Sequence, residues 1–172
     1  MIRDAARRST LSAVGIALLV LTSAGCATPA PASSAERGGC RTVAPDGASE
    51  AARAYADAVN AATPAWTAVS DTLVGRGHTH RRDLRSQINA DTPFVEALEA
   101  IDFPPEAAQQ GAELIAAVRA YDEFLKTTYR AYGFPSDQPE DNARLNETRA
   151  QSSSHLRDAL GLPGSTCFLT RP

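Results

Sequence analysis

The chain has 172 residues, with 17 lysines and arginines against 20 aspartates and glutamates, and 43% of its residues are apolar. This length and this apolar content suit one globular domain that buries its own core. The net charge of −3 argues against nucleic acid as a partner, and it gives no general attraction to an anionic lipid surface.

The first 25 residues have the three parts of a secretory leader. Arg3, Arg7 and Arg8 make the start positive, and residues 13–21 form an almost purely apolar run that is followed by small residues. This run is shorter than the roughly 18 to 20 apolar residues that span a bilayer. We therefore predict that residues 1–25 are a cleaved signal peptide, with a short uncleaved membrane anchor as the alternative.

The leader ends in Ser23-Ala24-Gly25-Cys26, which resembles the lipobox of bacterial lipoproteins. Ala24 and Gly25 match the family pattern, whereas Ser23 stands where the family prefers leucine or valine. The resemblance implies that Cys26 receives a diacylglycerol and becomes the first residue of the mature chain. Two or three acyl chains on one residue give stable anchoring. The implied location is the extracytoplasmic face of the cell membrane, with the lipid bilayer as a partner through Cys26.

Two further features concern the export route and the source. Arg7-Arg8 has some likeness to a twin-arginine signal, so the general and the twin-arginine export routes both stay open. Lys126 is the only lysine among 17 basic residues. This bias is typical of GC-rich genomes and points to an actinobacterial source.

Residues 26–39 hold the lipidated cysteine and a tether of Pro, Ala, Ser and Gly, which as a flexible coil reaches about 20 Å. Residues 40–172 form the domain, with Cys40 and Cys167 near its two ends. In an oxidising compartment this pair predicts one disulfide, which stabilises a long loop by roughly 4 to 5 kcal/mol in the chain-entropy model. Two free thiols or a metal pair are the alternatives, and neither has supporting ligands nearby in the sequence.

The first half of the domain contains two helical segments. Over about 49–74, apolar residues recur at spacings of three and four, as in a helix packed on other helices; they are Ala52, Tyr55, Val59, Ala62, Trp66, Val69 and Leu73. A second segment, about 79–101, places Leu84, Ile88, Val95 and Leu98 on one side. Pro64 predicts a kink in the first segment. Pro93 predicts that the second is two short helices or one strongly bent helix.

The second half contains two more segments. The third, about 104–132, has the longest apolar seam, which comprises Ala107, Gly111, Leu114, Val118, Tyr121, Leu125, Thr128 and Tyr132. Gly133 and Pro135 end it. The fourth starts at residue 136 or 137 and runs to Leu160, after which Gly161 and Leu162 fit a left-handed helix end.

No run alternates with period two for long enough to form a strand. We predict an all-α fold, an antiparallel domain resembling a four-helix bundle. In such a bundle both chain ends lie at the same end, which is where Cys40 and Cys167 need to be in order to pair.

The turn at 75–85 is the most unusual patch. It contains His78 and His80 and four arginines, Arg76, Arg81, Arg82 and Arg85. The histidines suggest a divalent metal, and the arginines suggest an anionic ligand, an acidic partner or a lipid headgroup. The metal hypothesis lacks a third ligand, and the neighbouring positive charges weaken cation binding. A solvated turn is the simplest interpretation.

The fourth segment is polar where an apolar seam is expected, at Gln151–His155. Either it lines a small-ligand cavity or it is an exposed helix with a thin apolar stripe, and we favour the exposed helix. The acidic residues between Asp91 and Glu123 are expected to solvate outer faces of the bundle.

The sequence contains no local pattern for a di-iron, haem, copper, serine-hydrolase or phosphate-loop site. We expect no catalytic residue, cofactor or metal, and an activity by binding rather than catalysis. The leading hypothesis is a protein-interaction or envelope-associated module, with an envelope protein or an anionic ligand as the candidate partner. The alternative is a small-ligand or metal-binding lipoprotein that uses the polar side of the fourth helix or the turn at His78 and His80.

Overall fold

The computed structural model describes residues 41–76 and 79–163, so the leader, all three cysteines and His78 lie outside the described part of the chain. Within that part the chain forms α-helices and no β-strand, which confirms the predicted all-α fold. The helices are α1 (Glu50–Arg76), α2 (Arg81–Glu99), α3 (Pro105–Arg130) and α4 (Pro139–Ala159), and a short 3-10 helix, Pro135–Asp137, precedes α4. Each described helix is too short or too polar to cross a bilayer.

The helices pack in chain order, with α1 on α2, α2 on α3 and α3 on α4. A buried hydrogen bond of 3.1 Å between the hydroxyls of Tyr55 and Ser153 joins α1 to α4. Burial raises the pKa of Tyr55 above its ordinary value, so the hydroxyl keeps its proton and can donate. The four helices therefore enclose one interior, as in a four-helix bundle.

The predicted seams form the core of the bundle. Its largest fully buried apolar side chains are Tyr55, Val59, Phe94, Leu98, Leu114, Val118, Leu125 and Leu156. On α3, Gly111 leaves room for a ring from the preceding loop, because a Cβ at this position would lie 2.7 Å from the ring of Phe103. Tyr132 is the exception among the seam residues, since its side chain is 75% exposed.

Of the two alternatives expected at Pro93, two short helices is wrong, because α2 continues through Pro93 as a single helix. Pro93 and the preceding Thr92 are exposed, and the Thr92 hydroxyl donates to the carbonyl oxygen of Ile88 at 2.9 Å. On the opposite side, Phe94 and Leu98 are 1% exposed. Burying two large side chains outweighs one missing backbone hydrogen bond. Helix α1 likewise continues through Pro64.

The predicted end of α4 is confirmed. Gly161 has a φ of +64°, and the amide of buried Leu162 donates to the carbonyl oxygen of Arg157 at 2.9 Å. At the end of α3 the left-handed residue is Tyr132, with a φ of +59°, rather than the glycine that follows it.

Arg157 holds the two described ends of the chain together. This buried residue donates from Nη1 to the hydroxyl of Thr42 at 3.1 Å and from Nη2 to the carbonyl oxygen of Pro163. The side chain of Asn60 also bonds the backbone N–H and carbonyl of Thr42, at 2.9 and 2.8 Å. Both ends therefore lie at one end of the bundle, which we call the terminal end. The α1–α2 and α3–α4 connections lie at the opposite end, the loop end.

Candidate functional site

A cavity of about 680 Å³ lies between the four helices in the half of the bundle nearer the loop end. Its apolar wall includes Val69, Leu73, Leu84 and Leu125, and its polar wall includes Gln87, Tyr121, Asn142, Asn146 and Arg149. Small-molecule sites typically measure about 300 to 1,000 Å³ and combine an apolar lining with a few polar groups. We call this space the interhelical cavity.

Helix α4 supplies most of the polar wall, because Asn142, Asn146 and Arg149 recur at spacings of four and three and so share one helix face. Asn146 Nδ2 donates to the backbone oxygen and to Oδ1 of Asn142, at 2.9 and 3.1 Å. The hydroxyl of Tyr121 donates to the same Oδ1 at 3.3 Å. Among the described residues, Asn142 Nδ2 and Asn146 Oδ1 make no hydrogen bond. One donor and one acceptor therefore stay available side by side.

The carboxylate of Asp91 lies behind this wall and is 1% exposed. It accepts hydrogen bonds from Trp66 Nε1 at 2.6 Å, from Gln87 Nε2 at 2.9 Å and from Arg149 Nη1 at 3.3 Å. The Arg149 guanidinium also lies 4.7 Å from the centre of the Tyr121 ring, a favourable cation–π distance. One carboxylate thus joins side chains of α1, α2 and α4.

Helix α3 contributes Asp122, which lies beside Asp91 and is 6% exposed. Its Oδ1 accepts no hydrogen bond from the described residues. Burial first, and then the charge of Asp91, raise the pKa of Asp122 to about 7. The positive charges of Lys126 and Arg149 act in the opposite direction. Asp122 therefore keeps its proton below neutral pH.

The expectation that the acidic residues solvate outer faces is wrong for Asp91 and Asp122. Asp91 follows Gln87 by four residues and precedes Phe94 by three, so it lies on the buried side of α2. Asp122 lies between Val118 and Leu125 on the seam of α3. The spacing of Asp91 and Asp122 from the apolar seam residues could have predicted this, because it places both side chains on the buried faces of their helices.

Part of the polar side of α4 lines the interhelical cavity. The favoured interpretation of α4 as an exposed helix is therefore wrong for those lining residues. The lining residues lie between Asn142 and Ala150, before the stretch that the sequence singled out. Within that stretch, Ser152 and Ser153 are buried and His155 is exposed, and Ser153 bonds Tyr55 rather than facing the cavity.

The described residues of the arginine-rich turn differ in their surroundings. His80 is exposed at the start of α2, and its backbone N–H donates to the carboxylate of Asp83 at 2.7 Å. Arg81 and Arg85 both lie against Tyr129 of α3, whereas His78 is outside the described residues. In the described part of the chain no three His, Cys, Asp or Glu residues are grouped as metal ligands.

Comparison with family models, curated proteins and solved structures finds no match for this chain. The geometry of the cavity is therefore the basis for a function. Its apolar wall can hold an apolar body, and Asn142 and Asn146 can pair with one polar group on that body.

We predict that Asp122→Asn removes most of the pH dependence of stability between about pH 4 and pH 7. The folded pKa of Asp122 is about 7, above its unfolded value of about 3.9. The folded chain therefore binds more protons in this window, and its free energy of unfolding falls as the pH rises. The contribution is complete below about pH 4 and lost above about pH 7. Asparagine does not titrate, so the profile of the variant should be nearly flat.

Urea unfolding from pH 4 to pH 8 measures this difference. Asp57→Asn, at an exposed position on α1, is the matched control and should keep the wild-type profile. An equally steep profile in Asp122→Asn would contradict the raised pKa of Asp122.

Proposed function

We propose that this protein is a lipid-anchored envelope protein whose helical domain binds a small, uncharged, amphipathic molecule in the interhelical cavity. The proposal is carried by one observation. The free donor of Asn142 and the free acceptor of Asn146 lie beside each other on a cavity that also has an apolar wall.

The groups that line the cavity fit an uncharged ligand better than an anion, because the carboxylates of Asp83 and Glu147 are among them. Arg149 is the cation of the polar wall, and it bonds the carboxylate of Asp91, so its charge is already balanced. The paired amides fit a group that both accepts and donates, such as an amide or a hydroxyl. The rest of the ligand would pack on Val69, Leu84 and Leu125, where burial of apolar surface supplies affinity.

The sequence favoured a protein-interaction module and left small-ligand binding as the alternative. The cavity supports small-ligand binding instead. Among the described residues, the exposed large apolar side chains are Val43 and Tyr132. They lie at opposite ends of the bundle, so they cannot form the contiguous patch that a protein partner usually needs. Binding without chemical conversion fits the site, since the Tyr121 hydroxyl and the Asp91 carboxylate are engaged by neighbouring side chains.

Ala150→Phe tests the cavity directly. Ala150 lines the cavity, so a phenyl ring at this position should occupy the space of the ligand. Native mass spectrometry of the mature chain purified from its own host should show a stoichiometric bound small molecule in the wild type and none in the variant.

Ala112→Phe, the same change at an exposed position on α3, is the control and should retain the bound mass. A wild type that carries no bound molecule, or an Ala150→Phe variant that carries the same one, would refute the cavity as the binding site. Circular dichroism melts of both variants verify that they fold.

The anchor part of the proposal rests on the lipobox-like sequence at Cys26. Cys26→Ala should move the protein from the membrane fraction to the extracellular fluid, or leave it uncleaved, because the acyl chains that hold it would be missing. Cell fractionation with labelled palmitate measures both effects. Cys40→Ala is the matched cysteine control and should stay lipid-labelled; label that persists in Cys26→Ala would exclude this anchor.

We also propose that Cys40 and Cys167 form a disulfide. The arrangement around Arg157 supports this, because Thr42 and Pro163 bond the same guanidinium, and the two cysteines lie only two and four residues beyond them. Alkylation of the denatured but unreduced mature chain should modify neither cysteine, whereas prior reduction should expose both. Modification of both without reduction would show that the bond does not form.

A further inference from the structure

A second site lies on the outer surface between α2 and α3, near the loop end. Arg85, Lys126 and Arg130 flank a depression of about 310 Å³ whose lining also includes Ile88, Asn89 and Tyr129. We call it the basic groove. It shares no lining residue with the interhelical cavity, so an inference about it stands independently of the cavity ligand.

Stacking and hydrogen bonds hold the side chains of the basic groove in place. The Arg81 guanidinium lies 4.3 Å from the centre of the Tyr129 ring and 3.8 Å from that of Tyr132, and it donates to the carbonyl oxygen of Tyr129. Arg85 lies 4.9 Å from the same Tyr129 ring, and its Nη2 donates to the Tyr129 hydroxyl at 3.1 Å. A guanidinium held in this way loses little freedom when it binds a ligand.

The charge of the groove is positive in a chain that is negative overall. Glu123 contacts Lys126 Nζ at 3.8 Å and Arg130 Nη1 at 3.6 Å, but its side chain is 60% exposed. Such exposed pairs are weak and can open. Three cations against one carboxylate leave a surplus of positive charge, while the whole chain has a net charge of −3. This local reversal of sign is typical of a surface that attracts anions.

We propose that the basic groove binds a phosphate group carried on a small organic molecule. A guanidinium can donate two parallel hydrogen bonds to phosphate oxygens, and an ammonium adds a compact charge. Ile88 and Tyr129 provide an apolar and aromatic surface for the organic part. The volume of about 310 Å³ suits one small ester.

The groove lies away from the terminal end, which leads to the tether and Cys26. This placement favours a soluble phosphate ester over a headgroup of the membrane that holds the anchor. A phospholipid carries the same chemical group, and the experiment separates the two sources.

Isothermal titration calorimetry of the mature chain with phenyl phosphate, at physiological ionic strength, tests the proposal. Arg85→Gln combined with Arg130→Gln should weaken binding by about tenfold or more, because two charged hydrogen-bond donors are lost. Arg144→Gln removes an exposed arginine that pairs with Asp141 on α4, and it should leave binding unchanged. Phenol, which lacks the phosphate, should not bind the groove.

A parallel arm measures flotation with vesicles of phosphatidylglycerol, and with phosphatidylcholine vesicles as the neutral control. Phenyl phosphate binding that the double variant loses would support a soluble ester. Binding only to phosphatidylglycerol, again lost in the double variant, would support the same group on a lipid. Absence of both interactions in the wild type, or equal binding by the double variant, would overturn the proposal.

Discussion

Side chains from all four helices surround the carboxylate of Asp91. Trp66 of α1, Gln87 of α2 and Arg149 of α4 donate hydrogen bonds to it. Asp122 of α3 lies beside it, and the charge of Asp91 helps to raise the pKa of Asp122. Removing one partner of a buried charge pair costs about 3–5 kcal/mol, because the other charge stays buried alone. Each donor is therefore held at Asp91, and the side chains of Gln87 and Arg149 form a fixed polar wall beside the cavity instead of filling it. Because Arg149 belongs both to this cluster and to the cavity wall, the protonation of Asp122 is linked to the electrostatics of the cavity.

The local signals in the sequence were sufficient to predict the helices. Seams with spacings of three and four located α1 and α3 to within a few residues, and Gly161 with Leu162 marked the end of α4 correctly. The alternative of two short helices at Pro93 is wrong, because the tendency of proline to break a helix says nothing about the burial of Phe94 and Leu98 on the other side of α2. The leader, Cys26 and the Cys40–Cys167 bond remain predictions from the sequence.

The candidate site was only partly predictable. Asn142, Asn146 and Arg149 share a face of a helix whose polarity was recognised, but the buried stretch that attracted attention, at Ser152 and Ser153, serves the contact with Tyr55. The positions of Asp91 and Asp122 on their seams follow from spacing alone. That the two acids meet each other, and that Arg149 meets them both, depends on how α2, α3 and α4 pack, which a single sequence does not state.

The described chain ends and the two candidate sites lie toward opposite ends of the bundle. Arg157 draws the two described ends of the chain together at the terminal end, and Cys26 precedes the first of these ends in the sequence. The interhelical cavity and the basic groove both lie toward the loop end. If the chain is anchored as proposed, both sites face away from the membrane, toward molecules in the envelope space.

The central claim is that burial beside the Asp91 carboxylate, behind the cavity, keeps Asp122 protonated up to near neutral pH. A pH titration followed by carbon-13 NMR of the Asp122 carboxyl carbon measures this directly, with Asp122→Asn identifying the resonance. The account predicts a titration midpoint near 7 for Asp122. A midpoint near 4, the ordinary value for an exposed aspartate, would show that the carboxyl is solvated and that the cluster does not organise the site.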